Sequence, residues 1–416
     1  MIGRVRGTRD FLDTQLFDFT LNSIIEHVQL HHYHRIITPI LEPIDLFKRS
    51  LGTETDVVSK EMFIVASSSG AGNESICLRP EATASTIRAF VEGGIPQLPW
   101  KVFSYGPMFR YERPQKGRYR QFYQFNLECI GSSSVGQDAQ LIAMIDTLFG
   151  QRLHLKNYAL HLNFLGTVEE RTLYKKKLTE FLKGTTEVCV TCSKRKETNI
   201  LRIFDCKSKT CQEIYKKAPL LEDSFKEESQ TEWQQLRNYL EELSVSFVIN
   251  PHLVRGLDYY NKTVFEFVSS DLGAQDAFCG GGRYDHLVSQ IGGKQDQPSI
   301  GAAIGIDRLL LLVKKVQSTL VLPQTPALYV IVPLGQEQHG LALQLANALL
   351  AAGLTTEVLF EGSVKSMMRK ANKLGAAYSL IIGQQEQKDG TVIAKEMKLG
   401  KEHTLKQSEV PKFLKQ

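Results

Sequence analysis

The chain reads as an α+β protein: a mostly antiparallel sheet flanked by helices, a helical insertion, and a separate C-terminal α/β domain. Three observations predict this. Strand-like runs between Trp100 and Ile130, over Thr263 to Val268, and at the start of Ile300 to Val316 lack intervening helices of crossover length, which favours antiparallel pairing. The stretch at about 150–248 differs in character, carrying Lys175-Lys-Lys177, four of the seven cysteines and the acidic run Glu222 to Glu228. Beyond the proline-marked linker Leu322-Pro-Gln-Thr-Pro326, strand and helix patterns alternate, as parallel strands require. The expected domains are therefore 1–322, interrupted by the insertion, and 323–416.

From Phe17 to about His32, Leu21, Ile24, Ile25 and Val28 fall at helical spacing, and Ile36-Ile-Thr-Pro-Ile-Leu41 then reads as a strand carrying Pro39. Two strands between Trp100 and Ile130 flank the polar loop Glu112 to Arg118, a hairpin with a longer than minimal loop. Thr263 to Val268 is a strand followed by the cluster Gly280-Gly-Gly282, and Ile300 to Val316 is a strand running into a helix. The C-terminal pattern is strand Leu328 to Val332, helix Gln338 to Ala351, strand Thr355 to Leu359, helix Val364 to Leu374 and strand Ser379 to Ile382.

With 416 residues, 42% of them hydrophobic and 23% charged, the chain is long enough for two or three well-cored domains and too apolar for general disorder. Its polar start, Met1 to Asp10, lacks the apolar core of a signal peptide. Ile300 to Val313 is too short for a membrane span and holds Asp307 and Arg308, so a cytoplasmic protein with no membrane association is expected. A net charge of +5 is modest, so nucleic-acid contact would come from local patches. Seven cysteines, an odd number, argue for reduced thiols.

Period-two geometry places Phe122, Gln124, Asn126 and Glu128 on one face of the returning strand and Tyr123, Phe125 and Leu127 on the other. Around the loop stand Arg110, Arg113, Lys116, Arg118 and Arg120. Such crowded guanidinium groups suit phosphate, which they grip in bidentate fashion. Arg308 in the first turn of an apolar helix opposes the helix dipole, a local rule broken in the way functional sites break them. The bland readings are a half-solvated sheet and, for Glu81, an acid favoured near a helix start.

The run Gly106-Pro-Met-Phe-Arg-Tyr-Glu-Arg-Pro-Gln-Lys-Gly-Arg-Tyr-Arg-Gln-Phe-Tyr-Gln-Phe-Asn-Leu-Glu128 resembles motif 2 of the class II aminoacyl-tRNA synthetases, in the wording of the histidine enzymes. Leu78-Arg-Pro-Glu-Ala-Thr83, Arg255-Gly-Leu-Asp-Tyr-Tyr260 and Gly280-Gly-Gly-Arg-Tyr-Asp285 resemble further peptides of that family, and Ile300 to Leu312 resembles motif 3. The resemblance implies a histidine–tRNA ligase: histidine is activated by ATP to histidyl-adenylate, with magnesium on the phosphates, and passed to the 3′ end of tRNA(His). It further implies that Arg110 and Arg255 stabilise the reacting α-phosphate, and that Glu112, Arg118, Phe122 and Arg308 also hold ATP. Histidine would be held by Glu81, Thr83, Gln124, Glu128, Tyr259, Tyr260 and Tyr284. Arg113 and Gln115 would meet the tRNA acceptor end, and Pro39 matches the motif 1 proline of a homodimer interface. The C-terminal domain would bind the anticodon, with Lys365, Arg369 and Lys373 forming one basic stripe opposite Val364, Met367, Ala371 and Leu374.

Two readings compete. A non-catalytic relative with a synthetase-like fold would be expected to lose catalytic arginines or the C-terminal domain, and a class II enzyme for another amino acid conflicts with Arg255 to Tyr260. No Walker A sequence or dinucleotide glycine fingerprint is present; Gly292-Gly-Lys-Gln295 lacks the spacing. Cys189, Cys192, Cys206 and Cys211 have spacing compatible with a zinc site, but the four residues separating the second pair favour free thiols, and no metal ligand is assigned.

Overall fold

The computed structural model describes residues 2–66, 75–206, 208–273 and 276–415. The chain divides into two compact units, Met1–Leu322 and Pro323–Gln416.

In the first unit, α1 (Gln15–Leu30) buries Ile24 and Val28 on one face and leads to the short strand β1 (His34–Arg35). The single strand expected at Ile36 to Leu41 does not form. Ile36 still donates to the Phe103 carbonyl at 2.9 Å, but Pro39 has no N–H for a ladder, and pairing resumes in another sheet with β2 (Leu41–Pro43). Helix α2 (Ile44–Leu51) follows, then β3 (Phe63–Val65) and β4 (Ile76–Leu78), which complete an antiparallel sheet of order β2-β4-β3.

After α3 (Thr83–Gly93), β5 (Trp100–Phe109) and β6 (Gln121–Ile130) form the long antiparallel hairpin that the sequence predicts. Then come α4 (Val135–Thr147) and β7 (Ala159–Phe164). Four helices follow: α5 (Val168–Phe181), α6 (Val190–Thr198), α7 (Lys209–Tyr215) and α8 (Glu227–Glu242). Next are β8 (Phe247–Ile249), β9 (Asn261–Val268), β10 (Ala277–Arg283), α9 (Leu287–Ile291), β11 (Ser299–Gly305) and α10 (Ile306–Val316). The main sheet runs β1-β5-β6-β11-β10-β9-β7-β8 and is antiparallel except at its outermost pairs, β1–β5 and β7–β8.

The insertion expected at about 150–248 is thus narrower. Its middle is helical, but its ends, β7 and β8, are strands of the main sheet, placed side by side so that the helices between them form an excursion. Helix α5 starts with a reciprocal cap, Glu170 N–H donating to Thr167 Oγ1 at 3.3 Å and Thr167 N–H to Glu170 Oε2 at 2.7 Å.

The second unit contains β12 (Leu328–Pro333), α11 (His339–Ala351), β13 (Thr355–Val358), α12 (Val364–Lys373), β14 (Tyr378–Ile382), α13 (Gln384–Asp389), β15 (Thr391–Glu396), β16 (Glu402–Lys406) and α14 (Val410–Phe413). Its sheet, of order β13-β12-β14-β15-β16, has the expected parallel strands β13, β12 and β14. Beyond the five expected elements, β15 and β16 add an antiparallel edge. On α12, Met367 and Ala371 are buried and Lys365, Arg369 and Lys373 exposed, while Val364 and Leu374, expected on the apolar side, also reach the surface. Among the described residues no helix is long and apolar enough to cross a membrane.

Candidate active site

The two faces of β6 part largely as period-two geometry dictates, except that Tyr123, expected on the core face, also borders the site cavity. Phe125 and Leu127 are fully buried in the apolar core, while Phe122 and Gln124 line a cavity of about 360 Å³. Its walls also take Glu81 and Thr83 from the start of α3, and Arg110, Glu112 and Arg118 from the hairpin. Arg255, Tyr259 and Tyr260 come from the segment before β9, and Arg308 from α10. Residues scattered across more than 200 positions of sequence therefore meet in one place.

Three guanidinium groups dominate the electrostatics. Arg110 donates through Nε to the Pro80 carbonyl at 2.9 Å and stands over the Phe122 ring at 5.4 Å. Burial lowers its pKa, with Glu61 and Glu81 pulling the other way. Arg308 donates to the Gly117 carbonyl at 2.9 Å; burial and then repulsion from Arg118 and Arg110 lower its pKa. Burial opposes charge on Arg255 most strongly, but Glu266, its ion-pair partner, together with Tyr260, Tyr259 and Cys279 outweighs this and its pKa is raised. Arg255 lies flat on β10 because position 280 is glycine: a Cβ there would stand 2.5 Å from its Nη2. Buried cations that repel one another are stabilised by an incoming anion.

Opposite them is a carboxylate and hydroxyl layer. Glu81 accepts the N–H groups of Thr83 at 2.7 Å and Ala84 at 2.8 Å, so it caps α3 as well as facing the cavity. Thr83 donates its hydroxyl to Glu128 Oε1 at 2.7 Å, and the Tyr284 hydroxyl also donates to Glu128. Glu128 and Tyr284, each about 1% exposed, lie behind the cavity wall and are not part of its lining. Burial pushes the Glu128 carboxyl up to about 8, against the lowering effect of those two hydroxyls. Position 301 must be glycine for the same carboxyl to fit, since a Cβ would collide with Glu128 Oε2. The Gln124 Oε1 is buried and has no hydrogen-bond partner among the described residues, an acceptor available to a bound group.

Glu112 sits on the cavity wall in an ion pair with Arg118. Arg113 and Gln115 are exposed in the hairpin loop, outside the cavity lining.

A sequence model described as histidyl-tRNA synthetase matches residues 14–309, and one described as an anticodon binding domain matches residues 329–416. The chain belongs to the histidyl-tRNA synthetase family. It is similar to a histidine–tRNA ligase of Oleidesulfovibrio alaskensis, 41% identical over 418 residues that cover 99% of this chain and 98% of that one. A histidine–tRNA ligase of Clostridioides difficile is 37% identical, with the same coverage of 99% and 98%. The crystal structure of the apo histidyl-tRNA synthetase of S. aureus covers 100% of both chains at a TM-score of 0.82 and 32% identity. As a member of the histidyl-tRNA synthetase family, this α+β chain is an aminoacyl-tRNA ligase that joins histidine to tRNA using ATP.

Several residues of this synthetase fold that complete the site carry no signal in isolation. Glu266, the partner of Arg255, looks like one more strand residue. Arg171 of α5 donates to the Tyr260 carbonyl at 2.6 Å, fixing the peptide from a helix 89 positions away. Asp307 accepts the Tyr123 N–H at 2.6 Å and pairs with Arg9 at 2.7 Å. The N-terminal arm is thereby laid along the hairpin: Arg9 stacks on Phe11 at 4.0 Å and Tyr119 at 4.8 Å, and Arg120 donates its N–H to the Gly7 carbonyl at 2.8 Å. Asp307 leaves no distinct trace in the sequence, because an acid in the first turn of α10 is already favoured by the helix dipole.

Proposed function

We propose that this cavity is where histidine and ATP meet, with Arg110 and Arg255 as the catalytic residues. The observation that carries the reading is the convergence of Arg110, Arg255 and Arg308 on one wall with Glu81, Thr83, Gln124, Tyr259 and Tyr260 on the same lining. The histidine carboxylate attacks the α-phosphorus, pyrophosphate leaves, and the charge that builds on the α-phosphate oxygens is met by Arg110 and Arg255. Arg308 and Arg118 hold the outer phosphates, and Phe122 and Glu112 take the adenine, which requires Glu112 to share or release Arg118. Glu81 receives the histidine ammonium. Glu128, held by Thr83 and Tyr284, meets the imidazole once Thr83 or Gln124 gives way, so ring recognition includes a local rearrangement.

Magnesium prefers oxygen ligands and keeps substrate phosphates among them. Glu266 supplies carboxylate oxygens on the cavity wall, so the residues present fit an ion carried in on the outer phosphates, where it would offset their negative charge. The terminal ribose hydroxyl of tRNA(His) then attacks the activated carbonyl. Arg113 and Gln115, exposed in the loop, guide the acceptor end, and residues 323–416 hold the anticodon stem, with Lys365, Arg369 and Lys373 on phosphates. A homodimer through the region around Pro39 is supported by apolar side chains left at the surface there, Ile37 and Ile40, and by Leu41 and Ile64 of the adjoining small sheet. The working compartment is the cytoplasm.

Histidine-dependent exchange of pyrophosphate into ATP tests the reading. The wild-type chain should exchange with histidine, and Arg255→Ala should slow exchange by at least about 100-fold, the scale for losing one transition-state donor, while histidine binding weakens far less. A defect confined to histidine binding would overturn the role given to Arg255.

A further inference from the structure

Four cysteines that no step of the ligation uses are gathered in the insertion. Cys189 immediately precedes α6 and Cys192 lies in its first turn; Cys206 closes the 3-10 turn Ile200–Asp205; Cys211 lies on α7. Their sulfur atoms all lie within 4.8 Å of one another, and Cys189 Sγ stands 3.7 Å from Cys206 Sγ. Four thiolates at the zinc–sulfur distance of about 2.3 Å stand roughly 3.8 Å apart along the edges of their tetrahedron. The cluster already has nearly that size. We propose that Cys189, Cys192, Cys206 and Cys211 form a closed, structural zinc site that fastens the insertion.

Buried cysteines often serve only as small core residues, and two observations argue against that here. The first is the environment of the sulfurs. Cys211 Sγ accepts the Cys189 N–H at 3.3 Å, and Cys206 Sγ accepts the Ser208 N–H at 3.4 Å, contacts that suit thiolates better than thiols. Four thiolates this close would repel one another and need a cation among them. The second is how little α6 and α7 bury besides cysteine, Tyr215 being the other buried residue on them. Helices α6 and α7 have nine and seven residues, too few to stand without tertiary support, and α6 buries only Cys192.

The free-thiol expectation rested on the four residues between Cys206 and Cys211. The structure absorbs them: α7 starts at Lys209 and carries Cys211 back beside the other three. Zinc would join the four sulfurs as each thiol gives its proton to solvent, so affinity falls at low pH. The fastened segment matters to its surroundings, because Asn199 donates to Asp258 Oδ1 at 3.1 Å and Arg202 pairs with Asp56 at 3.2 Å, with Asp56 and Arg202 both on the cavity wall.

The test uses the full chain purified without chelator. Elemental analysis should give about one zinc per chain, and replacement by cobalt should give the intense visible d–d bands of a tetrahedral tetrathiolate. Cys206→Ser should lose the zinc. Because that variant could also unfold, Cys189→His, which keeps a ligand, should retain zinc with a cobalt spectrum shifted away from that of the wild type. In denaturant with chelator and no reductant, all seven cysteines should react with a thiol reagent. Wild-type chain that holds no zinc and gives no cobalt bands overturns the proposal. So does recovery of only Cys77, Cys129 and Cys279 as reactive thiols, which would mean that the four are paired as disulfides.

Discussion

Glu128 is a carboxyl group held away from water between two hydroxyls, and its pKa of about 8 against an ordinary 4.5 makes it neutral in the empty protein near neutral pH. An acid whose folded pKa is raised favours folding in its protonated form. Its contribution is complete below pH 4.5 and is lost as pH rises through about 8. Glu81, Tyr33, Tyr259 and Tyr284 share this neighbourhood, and burial raises the pKa of each, so a charged Glu128 would stand among groups that themselves resist ionisation. Thermal melts of the wild type should therefore fall across that window, and Glu128→Gln should flatten the fall. Glu128→Ala should raise the histidine KM much more than the ATP KM in pyrophosphate exchange; equal effects would remove the residue from ring recognition. Position 301 belongs to the same reasoning. Gly301→Ala should act like a Glu128 variant, weakening histidine use by about 10-fold or more through a collision that an extra methyl cannot avoid.

The elements most legible in the sequence were those whose pattern and chemistry agree. The β5–β6 hairpin shows alternation, a polar loop and a basic cluster together, and Gln124 and Glu128 fell on the predicted face because strand geometry leaves no other choice. Tyr284 and Arg283 were one motif on paper, yet they separate in space: the first meets Glu128, while the second is buried against Asp138 and holds the sheet to α4. What remained hidden was pairwise and long-range. No local pattern announces that Glu266 belongs to Arg255 or that Arg171 belongs to Tyr260, because neither pairing leaves a periodic trace. The insertion illustrates the cost of reading composition over a long stretch, since β7 and β8 carry no Asp, Glu, Lys or Arg and belong to the main sheet, while the charged helices between them set the character of the whole segment. Its helix α5 also has work beyond packing. Arg171→Ala removes a buried charged donor from the Tyr260 carbonyl and should cost about 1–3 kcal/mol in denaturant unfolding. It should also raise the histidine KM several-fold with little change in kcat, whereas an unchanged KM would mean that the clamp stabilises without positioning.

At the scale of the molecule, each unit has its own apolar interior: one built on Phe103, Phe125 and Leu127, the other on Ile331, Leu349 and Leu380. Residues 323–416 should accordingly fold when expressed alone, with a single cooperative melt. A chain ending at Leu322 should keep histidine-dependent pyrophosphate exchange within a few-fold of the whole protein and lose most of its charging of tRNA. Loss of both activities together would show that the first unit depends on the second. The β-hairpin edge of the second unit leaves a weaker trace because β15 and β16 mix charged residues with apolar ones, Glu402 and Lys406 being exposed, whereas β12 and β14 are largely apolar and buried. The arm from Gly7 to Phe11 bears on how the protein is handled at the bench. Because Arg9 is pinned to Asp307 beside Arg308, and Gly7 to Arg120 of the hairpin, an affinity tag fused at the N-terminal end pulls on the hairpin that borders the cavity. A tag at the other end rests on the unit Pro323–Gln416, from which none of the described cavity-lining residues come, and comparisons of exchange rates between preparations should be made only on protein carrying it there.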